Sequence, residues 1–293
     1  MRTLARRHPL AAFLILSYAA AAVVFAVPLL SSAGIGAIDL DLPGATPFIL
    51  VAAFGLAGAA FVTTGLADGR DAVRDLRRRT FRFRVHPAWY ALALLLLPVA
   101  ALLSAVPFAG VDSIIELVTR PDVIFATVLA GALVAFLLVN WWEEVAWTGF
   151  ALHRLQGRIG PLAASVVTTW LQAIVHLPLV FVADGVTTGR VPVGEIPVYL
   201  VALFILPIPV RIVLTWIYNA SGRSLPIVGL YHAGLGVATG SGFIPVLAPD
   251  VAPIWAYANF AVLAVVAIIA TRGRLGFPAA HAAATGERAA AAG

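Results

Sequence analysis

Residues 9–30 read PLAAFLILSYAAAAVVFAVPLL, a stretch of 22 residues without a charged side chain. The hydrocarbon core of a bilayer is about 30 Å thick, and a helix of roughly 20 apolar residues is long enough to cross it. Residues 9–30 therefore predict a transmembrane helix, and they favour a membrane protein over a soluble one.

The composition of the whole chain supports the same conclusion. Of its 293 residues, 61% are hydrophobic and 11% are charged, whereas soluble domains carry about 25% charged residues. So few charges cannot cover a soluble surface, which excludes a soluble enzyme, a disordered protein and a fibrous protein. The chain contains no cysteine, and this excludes thiol catalysis, thiolate metal sites and disulfides.

Apolar stretches of sufficient length occur eight times along the chain. We therefore expect an all-α fold, a polytopic membrane helical bundle of about eight transmembrane helices. The predicted spans are 9–30, 46–67, 88–109, 123–150, 160–182, 196–218, 225–246 and 251–271.

The basic residues orient these spans. All 19 are arginine, and with the N-terminus inside, 16 of them fall in inside segments. Arg120 and Arg190 fall outside, and Arg211 lies within a span. The positive-inside rule therefore predicts cytoplasmic termini in a bacterial-type cell membrane. Because topology accounts for the basic charge, we expect the bilayer as a partner and no nucleic acid.

Three charged residues fall inside predicted spans: Glu143, Glu144 and Arg211. A charge at the centre of a membrane helix costs about 3 kcal/mol on insertion scales, so such residues usually mark a functional site. Adjacent helical residues point about 100° apart, so one carboxylate can face a cavity while a neighbouring helix holds the other. In the alternative interpretation, both carboxylates reach water beside an interfacial belt that includes Trp141 and Trp142.

Two histidines, His176 and His232, also lie inside spans. Together with a carboxylate pair they have the chemistry to activate water and stabilise an oxyanion, or to bind a metal. A hydrogen bond between helices is the simpler alternative. No His-Glu-x-x-His motif occurs and no aspartate lies in a span, while Ser241 stands in a Gly-Ser-Gly sequence typical of a turn. These observations favour a glutamate–histidine site.

Three short segments resemble the ordered motifs of the CPBP family, the CAAX-protease and bacteriocin-processing membrane endopeptidases. The family carries Glu-Glu-x-x-x-Arg-Gly, then aromatic-x-x-x-His, then His-x-x-x-Asn. The corresponding segments here are NWWEEVAWTGFAL (140–152), QAIVH (172–176) and HAGLG (232–236). The resemblance covers roughly residues 120–245.

The resemblance implies a role for each matching residue. Glu143 would activate water, His176 and His232 would assist, and Glu144 would have a mainly structural role. The chain departs from the motifs at three positions, because Thr148 replaces the arginine, Gln172 the aromatic residue and Gly236 the asparagine.

Two further hypotheses concern these replacements. Gln172 lies one helical turn before His176, on the same face, so its amide could replace the missing oxyanion donor. Arg211 is the candidate partner for Glu144 in place of the missing arginine.

The implied activity is that of an intramembrane endopeptidase acting on a membrane-associated or membrane-delivered peptide. A catalytically impaired relative with a binding or immunity-type role remains an alternative, and an ion-coupled transporter is a further one. The substrate stays open between prenylated tails, secreted leader peptides and membrane-anchored regulators. A divalent metal such as zinc is also left open, with His176 and His232 as its candidate ligands.

The chain divides into three predicted regions. Residues 1–120 would form N-terminal membrane helices with a basic cytoplasmic loop, and residues 121–246 the catalytic membrane core. Residues 247–293 would form the last membrane helix and an Ala-rich tail, expected to be disordered after Phe277.

Overall fold

The computed structural model describes residues 1–42, 44–125, 130–185, 189–239 and 254–278. Every regular element within these ranges is helical, which confirms the predicted all-α membrane bundle. The α-helices are α1 Arg2–Arg7, α2 Pro9–Leu30, α3 Thr46–Ala67, α4 Arg70–Thr80, α5 Pro87–Val118, α6 Pro121–Ile124, α7 Ala132–Ala135, α8 Trp141–Ala146, α9 His153–Ile159, α10 Pro161–His176, α11 Ile196–Ile205, α12 Pro207–Ala220, α13 Leu225–Thr239 and α14 Ile254–Thr271.

Five helical segments of the described chain are long and apolar enough to cross a membrane. They are Pro9–Leu30, Pro47–Ala67, Pro87–Phe108, Pro161–Phe181 and Val193–Ala220, and two shorter apolar helices cover Leu225–Gly236 and Ala256–Thr271. The chain is thus an integral membrane protein, while the count of eight spans, the orientation of the termini and the three-region division stay predictions. Ser241 and most of the Ala-rich tail lie outside the described residues.

The predicted span at 123–150 is helical in its described part, but its hydrogen bonding is not uniform. Two π-helical segments, Phe136–Asn140 and Trp147–Leu152, stand on either side of α8. A π-helical turn contains about one residue more than an α-helical turn, and such turns occur frequently at functional sites. Glu143 and Glu144 lie in the short α-helix between the two π-helical segments.

The helices that carry the candidate residues are neighbours in the bundle. Helix α8 packs against α3 and α13, and α13 also packs against α5 and α12. Helix α10 packs against α12, which in turn packs against α14. The glutamate pair on α8, His176 on α10, Arg211 on α12 and His232 on α13 are therefore brought to one place by direct helix contacts.

The contact between α8 and α13 is unusually close at one glycine. A Cβ atom added to Gly229 would lie only 2.7 Å from the Cα atom of Trp141. Trp141 is itself fixed, because its indole N–H donates to the carbonyl of Thr80 at 2.9 Å. His232 lies three residues after Gly229, on the same side of α13, so this close approach sets the distance between His232 and the glutamates.

We predict that Gly229→Ala destabilises the protein by about 1–3 kcal/mol, because the added methyl group must displace the α8 backbone. Thermal unfolding in detergent would measure the change. Gly157→Ala is the matched control, since a Cβ atom there meets nothing within 4 Å. Equal stability of the two variants would contradict the close approach.

Candidate active site

Glu143, His176 and His232 meet between α8, α10 and α13. The Nε2 atom of His176 lies 3.8 Å from Oε1 of Glu143, and Nδ1 of His232 lies 4.0 Å from Oε2 of the same carboxylate. Glu143 is 5% exposed and Glu144 is fully buried. The alternative in which both carboxylates reach interfacial water is therefore wrong.

The local structure around His176 explains how groups from different spans reach the same level. Helix α10 ends at His176, and the chain continues as a 3-10 turn over Leu177–Phe181 that contains Pro178. Because proline lacks an amide hydrogen, it cannot continue the helical hydrogen bonding at this point. His176 is thus held at the end of a helix, opposite Glu143.

The protonation of the His176 ring follows from its hydrogen bond. Its Nδ1 atom lies 2.9 Å from the carbonyl oxygen of Gln172. Because a carbonyl can only accept, Nδ1 carries the hydrogen and donates it. In the neutral ring the Nε2 atom, which faces Glu143, is consequently the acceptor.

Glu144 is the centre of a buried polar cluster. Arg211 donates from Nη1 to Oε2 of Glu144 at 2.7 Å and from Nη2 to Oε1 at 3.0 Å. The Thr148 hydroxyl donates to Glu144 and accepts from Nη1 of Arg211 at 2.9 Å. Thr148 thus stands where the family motif has arginine, and the positive charge comes from α12 instead.

Arg211 also orients the side chain of Gln172. Its Nη2 atom donates to the amide oxygen of Gln172. The amide nitrogen, which carries two hydrogens, forms no hydrogen bond to any residue in the described part of the chain. Gln172 also lines the neighbouring cavity. The arginine therefore holds the acceptor end of this amide and leaves its donor end available.

His232 contacts both glutamates through the same ring nitrogen. Its Nδ1 atom lies 2.8 Å from Oε1 of Glu144, although the ring is not aligned for a hydrogen bond at this distance. Oε1 of Glu144 thus contacts both Arg211 and His232. This contact places the buried Nδ1 toward Glu144, so Nε2 is the ring nitrogen left for the cavity.

A cavity of about 130 Å³ opens beside these groups. Its polar lining comes from Thr169 and from four residues described above, and the remaining lining is apolar. The lining residues are Thr169, Gln172, Ala173, His176, Leu203, Pro207, Val210, Arg211, Leu214, His232 and Leu235. Sequence reasoning missed the apolar lining from α11 and α12, because apolar residues within apolar spans carry no distinguishing signal.

Gly236 leaves space where the family motif has asparagine. It lies one turn after His232 on α13, and a Cβ atom added there would meet nothing within 4 Å. No neighbouring residue therefore fills the space that an asparagine side chain would occupy at this position.

The described residues do not fit a metal site of the usual kind. Within the ranges described, no group of three or more His, Cys, Asp or Glu side chains has an arrangement that could hold a metal ion. His176 and His232 both lie near Glu143, but the Nδ1 atom of His232 lies closest to Glu144. No step below is therefore assigned to a metal.

Comparison with known proteins identifies a family that this part of the chain matches. Residues 125–238, which include all three motif segments, match the family model described as type II CAAX prenyl endopeptidase Rce1-like. This segment belongs to the CPBP family. The family assignment made from the three motifs is thus confirmed.

A curated relative shares part of the chain. The chain is 25% identical over 192 residues to a CAAX prenyl protease 2 from Methanococcus maripaludis. The alignment covers 63% of this chain and 69% of the relative. It therefore extends beyond the motif segments, at low identity.

We predict that Arg211→Leu destabilises the protein by about 3–5 kcal/mol, because it leaves the buried Glu144 charge without its main partner. Thermal unfolding in detergent would measure the loss. The double variant Arg211→Leu with Glu144→Gln should recover part of the stability, because no uncompensated carboxylate remains. If Arg211→Leu alone keeps both stability and activity, Arg211 is not the supporting partner of Glu144.

Proposed function

We propose that this protein is an intramembrane endopeptidase that hydrolyses a peptide bond with a glutamate-activated water. The observation that carries the proposal is the approach of His176 and His232 to the buried Glu143, at 3.8 and 4.0 Å, beside a cavity. Three groups suited to proton transfer and oxyanion stabilisation, held this close inside a membrane bundle, have the chemistry of peptide hydrolysis. Membership of a protease family supports the same activity.

Glu143 is the proposed general base. A distance of 3.8 Å between Glu143 and Nε2 of His176 is too long for a direct hydrogen bond and leaves room for a shared water. Glu143 would take one proton from this water while its oxygen attacks the carbonyl carbon of the peptide. The Nε2 atom of His176, an acceptor in the neutral ring, would hold the second hydrogen of the water and orient it.

The tetrahedral intermediate carries a negative charge on the former carbonyl oxygen. The amide nitrogen of Gln172 and the Nε2 atom of His232, in the imidazolium form that carries a hydrogen on both ring nitrogens, are the proposed donors to this oxygen. The proton held by Glu143 then passes to the peptide nitrogen, the C–N bond breaks, and a carboxylic acid and an amine are released. Atoms and protons balance without a further reactant.

Glu144 and Arg211 would act as positioning residues in this scheme. Glu144 contacts His232, and Arg211 holds the amide oxygen of Gln172. The Glu144–Arg211 ion pair therefore fixes the positions of both proposed oxyanion donors. Its own charges are neutralised within the cluster, so it does not add a free charge to the reaction.

The apolar lining of the cavity indicates which class of substrate it can hold. Leu203, Pro207 and Val210 contribute apolar surface to the cavity that His176 and His232 also line. Such a surface suits an apolar side chain or a lipid-modified residue next to the cleaved bond. A prenylated peptide is accordingly the first substrate to test, as the name of the archaeal relative also suggests.

We predict that Glu143→Gln abolishes cleavage, because an amide cannot accept the proton of the attacking water. Purified protein in liposomes would be assayed with quenched fluorescent peptides, both prenylated and unmodified. Glu195→Gln is the matched control, since Glu195 is exposed and lies outside the cavity. Cleavage by Glu143→Gln at the normal rate would overturn the mechanism.

We predict that Gln172→Leu lowers kcat by about 10²–10³-fold with little change in KM, as expected for the loss of one oxyanion donor. Gln172→Glu should also be impaired, although it retains an acceptor for Arg211. Thr169→Val is the control, because Thr169 lines the cavity but its hydroxyl donates to the carbonyl of Ser165. Full activity of Gln172→Glu would show that Gln172 only supports Arg211.

A second candidate function is that of an impaired relative that binds peptides without cutting them. The open space at Gly236 favours it, because the donor that the family places there is missing. Gly236→Asn, introduced into the Gln172→Leu variant, distinguishes the two candidates. Restored cleavage supports an enzyme whose oxyanion donor has moved to Gln172. Peptide binding without cleavage in every variant, including the unmodified protein, supports the impaired relative.

A further inference from the structure

A second cavity lies at the basic end of the bundle, away from the glutamates. It is an open cavity of about 360 Å³, lined by the start of α2, the end of α3, α4 and α9. The arginine distribution predicts that this end faces the cytoplasm. Its lining residues are Pro9, Thr64, Asp68, Ala72, Asp75, Arg79, His153, Arg154 and Arg158.

Arg79 is a buried cation in the wall of this cavity, with only 6% of its surface exposed. Its Nε atom donates to Asp75 at 2.8 Å, and its Nη1 atom donates to the carbonyl of Gly149 at 2.8 Å and to the hydroxyl of Tyr218 at 2.9 Å. Its Nη2 atom forms no hydrogen bond with a residue of the described ranges. A guanidinium group carries five donor hydrogens, so Arg79 is held rigidly and still has donors left.

His153 presents a neutral donor to the same cavity. The Tyr218 hydroxyl accepts from Arg79, so its own hydrogen is directed to Nδ1 of His153 at 3.2 Å. Burial, reinforced by the positive charges of Arg79, Arg223 and Arg154, lowers the pKa of His153 to about 3. The ring is therefore neutral at physiological pH, with its hydrogen on Nε2.

The cavity has an excess of positive charge. Asp75 pairs with Arg79 and Asp68 pairs with Arg154, but Arg158 forms no ion pair with a residue of the described chain. Three arginines therefore face two aspartates. Arg154 is also held in place by the ring of Phe150, 3.8 Å below its guanidinium group.

We propose that this cavity binds a phosphate group, presented either by an anionic lipid headgroup or as free phosphate. Arginine guanidinium groups match the oxygens of phosphate in geometry and charge. The N–H of His153 adds a donor, and the start of the long helix α2, at Pro9, adds partial positive charge. Thr64, which is 2% exposed and whose hydroxyl has no partner in the described structure, lines the same cavity.

The site is built differently from a basic surface patch. Its central cation, Arg79, is buried and fixed by three hydrogen bonds, to Asp75, Gly149 and Tyr218, whereas the arginines of a solvated helix face are free to move. A fixed cation loses little side-chain entropy when an anion binds. The proposal does not depend on proteolysis, so its test stands apart from that of the proposed function.

Binding of short-chain phosphatidic acid to the purified full-length protein in detergent tests the proposal. Dihexanoylglycerol, which has the same acyl chains without phosphate, is the ligand control. Arg158→Gln should weaken binding of phosphatidic acid about tenfold, the effect of losing one charge-assisted hydrogen bond. Arg70→Gln is the matched protein control, because Arg70 is exposed at the same end of the bundle but lies outside this cavity.

A further binding measurement with inorganic phosphate distinguishes a lipid headgroup from free phosphate as the natural ligand. Binding of inorganic phosphate with the same dependence on Arg158 supports the site and assigns it to free phosphate. Binding of phosphatidic acid without displacement by inorganic phosphate supports the site and assigns it to a lipid headgroup. Equal losses in Arg158→Gln and Arg70→Gln, equal binding of dihexanoylglycerol, or no binding of either phosphate ligand would overturn the proposal.

Discussion

The ion pair between Glu144 and Arg211 is the interaction on which the rest of the site depends. A carboxylate with no exposed surface inside a membrane bundle is stable only if a cation and hydrogen-bond donors surround it. Arg211 supplies two hydrogen bonds and Thr148 a third. Because the same arginine holds Gln172 and the same carboxylate contacts His232, neutralising one buried charge also orders the groups around the cavity.

This arrangement explains how the chain departs from its family motif without losing the cluster. Thr148 occupies the position of the motif arginine, one turn after Glu144, and a hydroxyl there cannot neutralise a carboxylate. The cation is supplied instead by Arg211, on a neighbouring helix and 67 residues away from Glu144. The substitution therefore moves the positive charge from one helix to another and leaves the pairing of Glu144 intact.

The sequence predicts the class of fold and the members of the cluster better than their arrangement. Apolar stretches indicate membrane helices because hydrocarbon excludes unpaired backbone groups, and charges within those stretches stand out because they are costly there. The same reasoning could not predict that Nδ1 of His232 contacts Glu144, since that depends on the close approach at Gly229. Nor could it predict the π-helical segments around α8 or the apolar wall from α11, because neither has a residue pattern of its own.

The two π-helical segments make the number of residues in the helix around α8 important. Each segment accommodates about one residue more than an α-helical path would contain. Deleting one residue within Trp147–Leu152 would return that turn to α-helical form and engage its carbonyls within the helix, while the chain on either side keeps its place. Gly149 would then no longer present its carbonyl to Arg79. A single-residue deletion in this segment should consequently leave the glutamate pair in place and release the buried Arg79, so the length of this helix is tied to the second cavity.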